Sequence, residues 1–252
     1  MSELRGIYTL WLREVKRYTR ERTRLISSFI QPLLWLVIFG SGMQFSASGY
    51  GQLSYQEFIF PGIVAQTLLF TSMFMGISVI WDREFGFLKE ILVSPISRAS
   101  IFIGKMVGAT TDAVIQGSFV FVLSFVVGIF VDIQTYLICL PIMILTTFGL
   151  VSVGLTIASR MESLESFGVI QTFVNLPLFF LSGALFPLTH VPEWLRWVSI
   201  VNPVTYGVDA LRIVILKSAW TPLFPWQYDL LAICVFDAAM ILIGTRVFGQ
   251  RK

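Results

Sequence analysis

Long uncharged apolar runs alternate along the chain with short basic or mixed segments. Leu25–Gln56 carries no charge, its apolar part reaching about Phe45, and Phe58–Trp81 is uncharged over 24 residues. Ala113–Val131 is uncharged and extends back through Asp112 to about Met106. Ile133–Ser159 is uncharged over 27 residues and Ser166–Thr189 over 24. Gln227–Val247 is apolar apart from Asp229, Asp237 and Arg246. None of these runs alternates as a barrel strand does, and each approaches or exceeds the roughly 20 residues a helix needs to cross a core of about 30 Å. The pattern predicts an all-α, polytopic membrane protein with six transmembrane helices.

Composition narrows the class further. Of 252 residues, 13% are charged and 56% hydrophobic, with 23 Phe, whereas a soluble domain carries about 25% charge. A disordered chain, a fibrous repeat and an ordinary soluble enzyme are excluded. Cys139 and Cys234 sit in apolar runs and read as small hydrophobic residues. One histidine, His190, is too few for a histidine-based metal site.

Basic residues set the topology. Seven Lys and Arg fall in residues 1–24, four in 82–105, one at Arg160 and three at the C-terminus, against Arg196, Arg212 and Lys217 on the other side. This bias predicts that both termini are cytoplasmic. The segment between the fifth and sixth spans is apolar, but Arg196, Asp209, Arg212 and Lys217 cut it into pieces too short to cross. It is expected to form an outer re-entrant hairpin, about 190–218, of two short helices near Pro192–Ile200 and Val204–Leu216, broken at Pro203. A cleaved signal peptide is the competing reading of residues 1–45. It is disfavoured by a leader of 24 residues carrying three Glu.

Two segments outside the spans are patterned. In residues 1–24, Leu4, Ile7, Tyr8, Trp11, Leu12, Val15 and Tyr18 share a helical face, with Arg5, Arg13, Lys16, Arg17 and Arg20 elsewhere. This is the first unit, an amphipathic interfacial helix with its arginines toward anionic lipid, serving either as an anchor or as a lever on the first span. Residues 25–252 form the second, membrane-spanning unit. Within it, Trp81, Phe85, Leu88 and Leu92 recur at helical spacing over about 81–93, with Arg83, Glu84, Lys89 and Glu90 around them, until Ser94-Pro95 stops the helix. Such a helix either docks in a partner's groove or rests on the membrane surface.

Polar groups inside the spans are few. Asp112, Asn175 and Asp237 are candidates for a substrate path or for helix-to-helix contact. Pro32 and Pro177 are kinking points, and Gly104, Gly108, Ser124 and Gly128 have the small-xxx-small spacing of closely packed helices.

The motifs together resemble the permease subunits of type-2 ATP-binding-cassette (ABC) exporters. Arg83–Arg98 reads REFGFLKEILVSPISR, similar to that family's R-E-x-G-T-L-E-x-L-x-x-S-P loop, with Phe87 where Thr is usual. Pro187, Leu188, His190 and Arg196 match its last outer segment, as do Asn202, Pro203, Tyr206 and Leu211-Arg212. Pro61-Gly62 at the start of the second span fits too. The resemblance covers the chain in order and looks most like the drug-resistance and nodulation-factor branches. It implies a multi-pass protein of the cytoplasmic membrane, paired with a second copy or a paralogue and with two ATPase subunits. It makes the 81–93 segment a coupling helix, and the substrate a drug, lipid-linked or glycan compound. ATP and Mg would be bound by the partner, with no cofactor in this chain and no nucleic-acid partner.

The residues agree on one point. A phosphate-binding loop needs G-x-x-x-x-G-K-[ST], whereas Gly104-Lys105 is followed by Met106 and preceded by Ala99 at the first glycine position. An ion- or proton-coupled transporter is the alternative, resting on Asp112 and Asp237. A serine hydrolase is disfavoured because Leu181-Ser182-Gly183 follows Phe180 rather than a glycine turn.

Overall fold

The computed structural model describes residues 3–42, 53–87 and 96–249, without the side chains of 22–29, 41–42 and His190. Helices make up its regular structure, and no strand occurs among the described residues. In chain order they are α1 (Glu3–Arg20), α2 (Arg22–Gly42), α3 (Tyr55–Phe74), α4 (Ile77–Glu84) and α5 (Arg98–Ser124). Then come α6 (Ile133–Arg160), α7 (Leu164–Phe180), α8 (Glu193–Val201), α9 (Pro203–Leu216) and α10 (Trp226–Gly249).

Local chemistry sets the helix starts. Ser54 and Glu57 form a reciprocal capping box on α3, Ser54 Oγ accepting from Glu57 N at 3.2 Å and Ser54 N donating to Glu57 Oε2 at 2.8 Å. Ser97, Asp132 and Ser163 cap α5, α6 and α7 through the backbone N–H three residues on. Outside the spans, Asp132 is held down to about 2 by its hydrogen bonds from the Thr135 side chain and backbone and from Lys217. Asn202 caps α9, with Pro203 at its first position.

Four stretches are long and apolar enough to cross a membrane among the described residues: Tyr55–Glu84, Arg98–Val127, Ile133–Arg160 and Trp226–Gly249. The chain is therefore a multi-pass membrane protein. Of the helices standing for the first and fifth expected spans, α2 has 21 residues, with Ile30–Gly40 its apolar stretch of described side chains, and α7 is shorter at 17. The pair Glu193–Val201 and Pro203–Ala219 bends by 89° at Asn202; read as one broken span, it would bring the number to five. Two boundaries also move inward. The third expected span stops at Val127 because Gly128 takes φ +81, where only glycine is unstrained. The fifth stops at Phe180, before the turn through Gly183.

α3 is the central helix, buried around nearly its whole circumference, while α10 lies on the outside of the bundle. One core gathers Phe58, Phe60, Ile63, Leu68, Phe121, Met143, Phe179 and Leu211. A second gathers Leu10, Val79, Ile80, Ile101, Phe102, Leu155, Phe167 and Phe248. The second core includes α1, which packs along the first half of α5.

This packing uses a different stripe of α1 from the one its apolar pattern suggests. Gly6, Leu10, Glu14 and Tyr18 are buried, whereas Leu4 and Tyr8 are 77% and 58% exposed. The reason is steric. Gly104 and Gly108 open a groove on α5, where added Cβ atoms would lie 2.9 Å from Leu10 Cβ and 2.7 Å from Glu14 Cβ. These two glycines do serve close helix packing. Trp11 Nε1 also donates to Thr111 Oγ1 at 3.0 Å, fixing the register.

A buried charge cluster behind the candidate coupling loop

Four charged side chains from three helices meet where α1, α4 and α5 converge. Lys105 is 1% exposed, and its Nζ donates to Glu14 Oε1 at 3.2 Å, to Asp82 Oδ2 and to Ser78 Oγ at 3.5 Å. Arg13 reaches the same Asp82 with both terminal nitrogens, Nη2 to Oδ1 at 2.6 Å and Nη1 to Oδ2 at 3.3 Å. Two cations thus balance two carboxylates, which is the condition for keeping charges out of water.

The groove on α5 explains how these charges come together. Gly108 admits the Glu14 side chain close to the helix backbone, and Lys105 stands one turn earlier on α5. Asp82 lies in the last turn of α4, next to Arg83, whose guanidinium donates to Met161 O at 2.5 Å and Ser159 O at 3.2 Å. Those carbonyls are at the end of α6, where a cation is favoured. Adjacent residues Asp82 and Arg83 therefore tie the end of α4 to α1 and α5 on one side and to α6 on the other.

The loop leaves from this anchored point. Glu84 is the last residue of α4, Phe85 turns and is 71% exposed, and Gly86 takes φ +77. That left-handed residue ends the α4 helix. Leu88, Lys89, Glu90 and Leu92 lie outside the described residues. Of the seven loop residues singled out in the sequence, Glu84 and Phe85 face solvent and Arg83 is turned inward to the α6 carbonyls.

The polar residues inside the spans occupy separate seams. Asp112 is fully buried on α5 and shares a small internal space with Glu14, Tyr18 and Ser78. One turn further, Gln116 Oε1 accepts from Thr71 Oγ1 at 2.9 Å, extending the polar seam between α3 and α5. Asp237 is buried on α10 against α6 at Gly149, where a Cβ would lie 2.5 Å from the Phe236 ring. Asn175 is buried on α7, one turn before Phe179, whose ring packs on Trp35 and Phe70.

At the far end of the bundle the outer segment forms a hydrogen-bonded corner. Pro187 leads into the short turn Leu188–His190. Asn202 Nδ2 donates to Leu178 O at 2.7 Å, and Tyr206 Oη donates to Ile200 O at 2.6 Å. Arg212 is buried, donates to Ala184 O at 2.9 Å and lies 4.0 Å from the centre of the Phe58 ring. Arg196 is exposed on α8, beside the exposed Trp194 and Trp197.

Sequence reasoning missed Glu14 and gave Asp82 and Lys105 no joint role. Their one legible signal is position: Glu14 falls at i+4 and i+8 from Leu10 and Gly6, facing the Gly104/Gly108 groove.

Comparison with known proteins places this architecture. The sequence profile described as ABC-2 type transporter matches residues 5–216. A Cyanophora paradoxa protein named as a transport permease, ycf38, is 30% identical, the match covering 97% of this chain and 89% of that one. Nodulation protein J of Rhizobium meliloti is 25% identical over 90% of this chain and 86% of its own. Escherichia coli YbhR, named as a multidrug ABC transporter permease, is 30% identical over 69% of this chain and 49% of its own.

Proposed function

The chain belongs to the ABC-2 type transporter family, and on that premise we propose that it is the membrane-spanning subunit of an ATP-driven exporter. It moves a hydrophobic or amphipathic compound outward across the cytoplasmic membrane. Two separate ATPase subunits supply the energy and bind the ATP and Mg, and a second permease copy or a paralogue completes the path. The relatives named for nodulation and multidrug transport support the substrate class, a drug or a lipid-linked or glycan compound.

The observation that carries the mechanism is the double tie at the end of α4. A partner pressing on Phe85 and the residues after it would act on Glu84, Arg83 and Asp82. Asp82 is bonded to α1 and α5, and Arg83 to the end of α6. A displacement of the loop is then passed to three helices at once, through the Lys105 and Arg13 ion pairs to α1 and α5 and through the Arg83 hydrogen bonds to α6.

In this reading α2 and α7 complete a set of six spans. The α8–α9 pair is the outer re-entrant hairpin, pinned by Asn202 and Arg212. Both termini are cytoplasmic, on the side holding most of the basic residues.

An ion-coupled transporter is the second reading, favoured by the buried Asp112 and Asp237. Membrane vesicles containing the permease and its ATPase separate the two. In inside-out vesicles, ATP added to the medium is expected to drive substrate uptake that survives collapse of the proton gradient, while right-side-out vesicles do not respond. Transport that follows an imposed gradient without ATP would replace this proposal with the second reading.

A further inference from the structure

Beside the buried charge cluster, the outward side of α1 and the end of α4 enclose an open cleft of about 670 Å³. Arg13, Lys16, Arg17 and Arg20 line it at i, i+3, i+4 and i+7, so they share one side of α1. Arg13 is committed to Asp82, and Arg17 pairs with Glu21 at 3.3 Å while stacking over Trp81 at 4.6 Å. Lys16 and Arg20 are exposed and have no acidic partner among the described residues. Leu12, Trp81 and Phe87 supply apolar wall.

The cleft therefore offers two uncompensated cations beside an aromatic and aliphatic surface. It opens at the end of the apolar span Tyr55–Glu84, the depth at which lipid headgroups lie. A soluble anion would use the cations and leave the apolar wall wet. An amphiphile with an anionic head uses both. We propose that this cleft binds the phosphate headgroup of an anionic phospholipid, with Lys16 and Arg20 on the phosphate and the glycerol region against Leu12 and Trp81. Guanidinium and ammonium donors suit phosphate oxygens, and each cation adds to the attraction of an anionic membrane surface. Bound there, the lipid would steady α1 against α4 without taking part in the Asp82 pairing. This goes beyond the exporter proposal, and the lipid contacts named leave out Phe85, which lines the same cleft and is assigned to the ATPase.

The test uses the full chain in detergent, with thermal stability and binding followed during titration with phosphatidylglycerol, phosphatidylcholine or inorganic phosphate. The parent is expected to bind and be stabilised by phosphatidylglycerol alone. Lys16→Gln/Arg20→Gln should bind it about 30-fold more weakly, at about fivefold per cation. Lys16→Arg/Arg20→Lys, which keeps both charges, should bind within a few-fold of the parent. Equal stabilisation by inorganic phosphate would show a soluble-anion site, and equal stabilisation by phosphatidylcholine would show no selection for charge. Unchanged phosphatidylglycerol binding in the Gln variant, or loss of ATPase capture with lipid binding intact, would also overturn the assignment.

Discussion

Lys105→Met is expected to destabilise the protein more than any other single truncation at the cytoplasm-facing end proposed for the bundle. The side chain is close to isosteric, so little packing is lost. What is lost is the charge held by Glu14 at 3.2 Å and by Asp82. Both carboxylates are 2% exposed as side chains, and Glu14 would be left with no cation among the partners described for it. Removing one member of a buried ion pair costs about 3–5 kcal/mol, mostly the penalty of the charge left behind. The loss should appear in denaturant unfolding of the detergent-solubilised protein, with α1 the first element exposed to proteolysis. Lys105→Met/Glu14→Gln should recover much of the loss, since it neutralises both partners while Arg13 stays on Asp82. A single variant as stable as the parent would mean that the cluster does not hold α1 in place.

Asp237→Lys carries the second large effect. The residue stands near the middle of α10 and is packed against Gly149 of α6 with no room for a longer side chain. A fixed charge at the centre of a span costs roughly 2.5–3.5 kcal/mol on insertion scales, and the steric cost adds to it. Asp237→Lys is therefore expected to lose α10 insertion, read by glycosylation mapping or by loss of the monodisperse species. Asp237→Asn keeps the size and the hydrogen-bonding capacity and should assemble normally. If Asp237→Asn assembles and turns over ATP but exports nothing, Asp237 acts on the substrate path rather than in packing.

The four long spans were legible because crossing a membrane leaves a one-dimensional record. Phe58–Trp81 and Ile133–Ser159 are uncharged, and the helices Tyr55–Glu84 and Ile133–Arg160 follow those limits closely. Helix ends were less legible, because single backbone angles decide them. Gly86 and Gly128 end their helices through positive φ, which an apolar pattern does not register. The outer corner was read as a motif, and its logic appears only in three dimensions, where Asn202 bonds Leu178 and Arg212 bonds Ala184.

The charge cluster was hidden for a different reason. Glu14 and Lys105 are 91 positions apart, and an ion pair leaves no periodic trace. On α1 the broad apolar stripe through Leu4 and Tyr8 outweighed the narrower one through Gly6 and Leu10, so the carboxylate within it was passed over. Lys105 drew notice only in the basic count that set the topology and as a failed phosphate-binding lysine.

The claim that the loop after α4 receives the ATPase is tested most directly by capture. Phe85 is 71% exposed beside a fixed helix end, suited to filling a partner's pocket. Truncating such an anchor commonly costs about 2 kcal/mol or more, a loss of about 30-fold, while reversing a neighbouring rim charge costs less and depends on salt. Purified permease carrying Phe85→Ala should release the ATPase while the spans stay inserted, and Glu84→Lys should weaken capture mainly at low salt. Capture of the ATPase by both variants as tightly as by the parent would contradict the account.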